Sequence, residues 1–250
     1  MEFIADYWIA GLMIAIAIAT LTGAFTRTAA MLPVSRAIDA VSIAVGKVVM
    51  WLVLVAVLVS TYNAVQRYAF NISSNAWLEI QWYLFGAVFL LAAAYTLQRN
   101  EHIRIDVVAS ALSARARSWI DLVGHVLFLT PFTILMVHLS VPWVIFAYER
   151  GEVSANAGGL IRWPAKALLV LGFALLFAQA MSEIVKRVAV LRGVIADPNL
   201  GHDAAAGVVE GAVAMEGHGA PAIDTRDRAA GATPRENAAR ENVTREDARP

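Results

Sequence analysis

Few side chains in this 250-residue chain are of types that make or break bonds, and they fall into small groups. Asp121 and His125 are four apart, so on a helix they share a face and can form a hydrogen-bonded pair. His125 and His138 are thirteen apart, a spacing that invites a haem reading. Bis-His ligation needs matching histidines on a second membrane helix, and the remaining ones, His102, His202 and His218, lie in a connection and in the tail. His102, Arg104 and Asp106 alternate with Ile103, Ile105 and Val107. A His–Asp pair suits proton transfer, but no Ser or Cys nucleophile motif accompanies it. Cysteine is absent, which excludes thiolate metal sites, thiol nucleophiles and disulfides. These residues predict no catalytic site, no cofactor, no metal centre and no enzyme.

The elements that carry them are apolar stretches of membrane length. Five stand out: Tyr7 to Phe25, about Val48 to Tyr68, about Trp77 to Leu97, about Trp119 to Val141, and about Pro164 to Met181. Roughly 20 residues cross a bilayer as a helix, and lipid leaves backbone groups no other partner. Composition agrees. The apolar share is 59%, the charged share 16% and the mean hydropathy +0.61, against ~45–50% and ~25% in soluble domains. A soluble enzyme, a disulfide scaffold and a nucleic-acid binder are excluded. The expected fold is an all-α integral membrane protein: four core transmembrane helices and an extra N-terminal one, whose alternative is a helix lying in the membrane interface, an amphipathic inner-surface segment near residues 105–112, and a disordered C-terminal tail.

Charge distribution orients the spans. Residues 1–195 carry 14 Lys+Arg against 10 Asp+Glu, and residues 196–250 carry 6 against 10. Basic residues follow the first stretch (Arg27, Arg36, Lys47), the third (Arg99, Arg104, Arg115, Arg117) and the fifth (Lys186, Arg187, Arg192). The positive-inside rule therefore predicts residues 26–47 and 98–118 and the C-terminus inside, with 69–76 and 142–163 outside. The tail from Ala196 has no Phe, Trp or Tyr and too little apolar surface to offset ordering. Three units result: an N-terminal helix and linker over 1–35, a four-helix membrane domain over 36–192, and a cytoplasmic tail over 193–250.

The middles of the four core spans, residues 48–59, 84–94, 126–137 and 167–178, contain no Asp, Glu, Lys, Arg or His. Proton relays, ion sites and voltage sensors place such residues at mid-depth, so an independent pump is disfavoured. Polar groups gather at the span ends instead. Ser60, Asn63 and Arg67 share one face of the second span; Glu79, Tyr83 and Gly86 share one face of the third. The short connection Asn71–Asn75 makes these spans antiparallel neighbours, which brings Arg67 and Glu79 to similar depth, where they either pair or snorkel separately. Pro131 should distort the fourth span, because it removes a helix hydrogen bond. The outer connection from Tyr148 to Leu160 contains Glu152, Ser154 and a turn-forming Gly158–Gly159, and either meets an external protein or serves as a plain connector.

Several runs resemble a known family. They are Arg67–Tyr68–Ala69–Phe70, the run Trp77–Leu78–Glu79–Ile80–Gln81–Trp82–Tyr83–Leu84–Phe85, the run from Phe89 to Leu97, and Glu101–His102–Ile103–Arg104–Ile105–Asp106. Together they look like the DctQ-type small membrane subunit of TRAP (tripartite ATP-independent periplasmic) transporters. Glu152–Val153–Ser154 and Gly158–Gly159–Leu160 look like its longer mannitol/chloroaromatic branch. The resemblance covers about residues 36–192. It departs from the family pattern at Leu78, where a second acidic residue is typical, and at Ala92, where Gly is common. It implies a small subunit of the bacterial inner membrane that braces a large multi-span permease. A periplasmic binding protein delivers an organic acid, and an ion gradient drives uptake. It further implies that Arg67 and Glu79 fix the core hairpin, and that the Ser60–Asn63 and Tyr83–Gly86 faces contact the large subunit. His102, Arg104 and Asp106 would order the inner loop, and Glu152, Ser154, Gly158 and Gly159 would lie where the binding protein docks. Membrane lipids complete the partners. The alternative reading is a membrane-anchor subunit of a redox complex.

Overall fold

A computed structural model describes residues 2–72, 74–99 and 113–195, with residues 2–6 and 114 described by backbone alone. The elements are α1 (Glu2–Thr26), α2 (Thr28–Ala69), α3 (Asn75–Arg99), α4 (Ala114–Gly124), α5 (Thr130–Glu149) and α6 (Trp163–Leu191). A five-residue π-helical turn, His125–Leu129, joins α4 to α5. Five helical stretches are long and apolar enough to cross a membrane, with α4 through α5 counting as one. The inner-surface segment near 105–112 and the tail from Ala196 lie outside the described residues.

α6 is the axis of the bundle, and α1, α2, α3, α4 and α5 all pack against it. Its second half, from Phe177 to Ala189, is buried almost without interruption. Lipid tails are as apolar as Leu, so helices in a membrane associate through close contact of small residues rather than through hydrophobic exclusion. The chain follows this rule. Thr28, Ser35, Ser42, Val49 and Ala56 are buried on α2 at every seventh position, the repeat that keeps one seam facing a partner helix. Ala87 and Ala94 do the same on α3.

Two glycines set the closest approaches. A Cβ on Gly46 would lie 2.5 Å from the Tyr95 ring, and one on Gly172 would lie 2.7 Å from Leu90 Cβ and 3.0 Å from the Leu90 carbonyl oxygen. Backbone cannot yield as a flexible side chain can. Gly172→Leu is therefore expected to push α3 off α6 and to destabilise by about 1–3 kcal/mol. Gly86→Leu, on the same α3, is expected to melt like wild type, since nothing lies within 4 Å of its added Cβ. Equal melting of the two variants in detergent would refute the close-contact account.

The residues expected to form an inner connection, 26–47, are instead helix except at Arg27. α2 starts after a single intervening residue, Arg27, and runs unbroken for 42 residues, ~63 Å at 1.5 Å each and about twice the hydrocarbon thickness. The boundary anticipated at residue 35 falls inside it. Its first half stays helical because Ser35, Asp39 and Ser42 find partners on the second half of α6. α1 lies along α5 and α6, where Met13 and Ala24 are buried and Tyr7 stacks on His138 at 5.0 Å.

The distortion expected at Pro131 takes the form of the π turn just before it. The Thr130 N–H reaches back five residues to the His125 carbonyl, and the Thr130 hydroxyl donates to the same oxygen at 2.7 Å.

Candidate functional site

Polar side chains form one cluster at each end of the bundle. The first is built around the loop of residues 150–162. Positive φ at Gly151 and Gly158 turns the chain, and Val153 and Ile161 form an antiparallel bridge. Ser154 N–H donates to Leu160 O, and Arg162 N–H to Glu152 O, both at 2.9 Å. Gly159 must be glycine, because a Cβ there would meet Ser154 at 2.4 Å and the Glu79 carboxylate at 2.9 Å.

Glu79, in the first turns of α3, is the anchor of this loop. It is 4% exposed. Its Oε1 accepts from Asn156 Nδ2 at 2.9 Å and from the Ser154 hydroxyl, and its Oε2 accepts from the Leu160 N–H at 2.7 Å. Asn75 Nδ2 donates to Ala157 O at 3.0 Å and the Tyr83 hydroxyl to Ile161 O at 3.2 Å. The loop is thus stitched to α3 along its length.

Glu152 joins the same loop to α6. Lys166 Nζ lies 2.5 Å from its Oε2 and 4.2 Å over the Trp143 ring, and Arg162 approaches its Oε1 at 3.6 Å. The Lys166 hydrogen bond, ahead of the Coulomb attraction of the two cations, holds the Glu152 carboxyl below its ordinary value of 4.5 against the opposing effect of desolvation. A depressed folded pKa stabilises the loop above the unfolded pKa, and that contribution is lost as pH falls through the folded value. A spin label at Ala157→Cys should therefore stay immobile on acidification to 4.5 and loosen below it. Adding Glu152→Gln should shrink that step to the part carried by Glu79. An unchanged acid transition in the Gln variant would count against the assignment.

The structure places the other residues singled out in the sequence as follows. Glu79 does not pair with Arg67, which is exposed; the loop supplies enough donors to satisfy the carboxylate. Ser60 and Asn63 turn toward α3, where Gln81 Nε2 donates to Ser60 Oγ and Asn63 Nδ2 lies 3.5 Å from Gln81 Oε1. Gly86 borders open space. His102, Arg104 and Asp106 lie outside the described residues. Asp121 and His125 do not join through their side chains: the His125 ring N–H donates to the Asp121 backbone carbonyl at 2.5 Å, while the Asp121 carboxylate faces Arg187 Nε at 3.5 Å.

The opposite cluster was not foreseen. Gln179, fully buried on α6, donates to Asp39 Oδ1 at 2.8 Å and to Glu183 Oε1 at 3.2 Å, and accepts from the Ser42 hydroxyl at 2.7 Å. Ser182 donates to Asp39 Oδ1 at 2.8 Å and lies 2.7 Å from Ser35 Oγ. Lys186 closes the group, 2.5 Å from Glu183 and 3.2 Å from Asp39. Arg192 caps the α1–α2 junction by donating to Phe25 O and, at 2.9 Å, to Thr28 Oγ1. The seven-residue spacing of Ser35 and Ser42, matched by the helical spacing of Gln179, Glu183 and Lys186, was the available signal.

Among the described residues, no three His, Cys, Asp or Glu are grouped to hold a metal ion. The carboxylates in both clusters are engaged by donors of the same chain, so these groups hold helices and a loop in place. Five helical stretches long and apolar enough to cross a membrane, tied to one another by polar groups at both ends, define a multi-pass membrane protein. The family model for tripartite ATP-independent periplasmic transporters, DctQ component, matches residues 56–190. The match spans more than half of the chain, and the chain belongs to that family as the small membrane component of a TRAP transporter, a transporter part rather than a member of an enzyme family. Comparison with curated proteins and with solved structures returned no match.

Proposed function

We propose that this chain is a rigid scaffold for the large multi-span permease subunit, in a system where a periplasmic binding protein delivers an organic acid and an ion gradient drives its uptake. The observation that carries the reading is the placement of charge. The centres of the four core spans hold no ionisable residue, while carboxylates and cations are tied to each other at both ends. Such a body has nothing at mid-depth with which to bind or gate a charged cargo. Substrate and coupling-ion sites then belong to the large subunit. The loop of residues 150–162 faces the periplasm and docks the binding protein; α2 and the C-terminus extend into the cytoplasm, following the distribution of Lys and Arg.

Reconstitution tests the reading. Proteoliposomes with this chain alone should take up no labelled organic acid under a sodium or proton gradient, and adding the large subunit and binding protein should give uptake. Flux through the isolated chain would overturn it. Orientation is read separately in this cysteine-free background. A cysteine at exposed Ala157 should label from the periplasmic side, and one at exposed Ser113 only after the inner face is opened.

A further inference from the structure

α3 and α5 both pack against α6, yet make at most a marginal contact with one another. At the loop end this leaves a cleft of about 350 Å³ between them, with Ala165 of α6 among its lining residues and the 150–162 loop contributing Glu152, Ser154, Asn156 and Arg162, a size in the range of small-ligand sites. Two tryptophans that line it, Trp82 and Trp143, are exposed, as are nearby Tyr148 and Trp163. Aromatic residues of this kind collect at the headgroup level of a bilayer.

The charges in the wall are Glu79, Glu152, Arg162 and Lys166, which sum to zero. Their free bonding capacity is uneven. Lys166 is spent on Glu152 and the Trp143 face, and Glu79 on the loop. Arg162 is about half exposed and meets Glu152 only at 3.6 Å, so most of its five N–H donors remain for another acceptor. The Glu152 oxygen facing Arg162 can take a further N–H. An acceptor for Arg162 and a donor for Glu152, carried by a neutral molecule at headgroup depth, describe a phosphate next to a primary ammonium.

We propose that this cleft binds the zwitterionic phosphoethanolamine headgroup of a membrane phospholipid, its phosphate on Arg162 and its ammonium on Glu152. A net-anionic headgroup would leave Glu152 facing a second negative charge. A quaternary ammonium would offer the carboxylate no N–H.

The test is native mass spectrometry of the full chain, delipidated in detergent and then given dioleoyl phosphatidylethanolamine, phosphatidylglycerol or phosphatidylcholine at equal concentration. Phosphatidylethanolamine should be retained one per chain, about tenfold more tightly than the others. Arg162→Ala should weaken that retention about tenfold or more, the loss expected for a charge-assisted contact to phosphate. Ala165→Phe, which fills the cleft without changing charge, should weaken it similarly. Arg150→Ala, at the same end but outside the cleft, should leave it unchanged. Free phosphoethanolamine should compete only at far higher concentration. Equal retention of phosphatidylglycerol or phosphatidylcholine, indifference to both cleft variants while they melt like wild type, or equal competition by the free headgroup would each overturn the proposal, the last by pointing to a soluble solute.

Discussion

Gln179→Leu is expected to cost about 2–4 kcal/mol, from hydrogen bonds worth ~1 kcal/mol each and more where the partner is charged. The side chain is fully buried and all three of its bonds go to groups with few substitutes: Asp39, Glu183 and the Ser42 hydroxyl. Leu has nearly the same volume, so the change isolates the polar term from packing. It strands a buried hydroxyl and removes a shared donor between two carboxylates, which leaves Glu183 on Lys186 and Asp39 on Lys186 and the Ser182 hydroxyl. Ser42→Ala removes one bond and its donor together and should cost only ~1 kcal/mol. Intrinsic fluorescence melting in detergent reads both, and hydrogen exchange over residues 28–43 should rise sharply in the Leu variant as the first half of α2 frays from α6. If Gln179→Leu melts with Ser42→Ala, the polar knot contributes no cooperativity.

Glu79→Ala is expected to free the 150–162 loop. One carboxylate organises it, accepting from a backbone N–H and two side chains that lie up to 81 residues away in sequence. Without that acceptor the Leu160 N–H loses its partner, and the loop keeps its two-rung ribbon, the Glu152 contacts and the single bonds from Asn75 and Tyr83 to its backbone. Trypsin cleavage after Arg150 or Arg162 reports the population of the opened loop. It should accelerate by one to two orders of magnitude, as expected when several charge-assisted bonds are lost at once. Ser154→Ala should give a small fraction of that change. A digestion rate equal to wild type in Glu79→Ala would show that the loop is held by something else. Under the scaffold reading, the same variant should lose coupling to the binding protein while the bundle keeps its melting temperature.

Much of the fold was legible because membrane crossing is a local property. A run of about 20 apolar residues without charges has one stable solution in lipid, so five stretches able to cross and the all-α class follow from composition along the chain. The resemblance resting on the Trp77–Phe85 and Phe89–Leu97 runs led to the family that the match over residues 56–190 shows. Reading stopped where partners come from other helices. For Glu79, nearness in sequence suggested Arg67, whereas the loop far downstream supplies a backbone N–H at 2.7 Å.

The opposite end shows the same limit. Hydropathy falls across 26–47, so that stretch read as a connection; yet Ser35, Asp39 and Ser42 are polar because they meet Gln179, Ser182 and Lys186, not because they meet water. Nothing in the sequence marked Gly172, which the contact with Leu90 makes the tightest glycine between α3 and α6. The sequence by itself determined which segments are long and apolar enough to cross a membrane and, through its motifs, what family the chain joins, because hydropathy depends on each residue's own affinity for lipid or water. Only the tertiary structure decided which polar groups satisfy one another and where helices touch, because a hydrogen bond or a close contact is a property of two positions, and their pairing exists only once the bundle has formed.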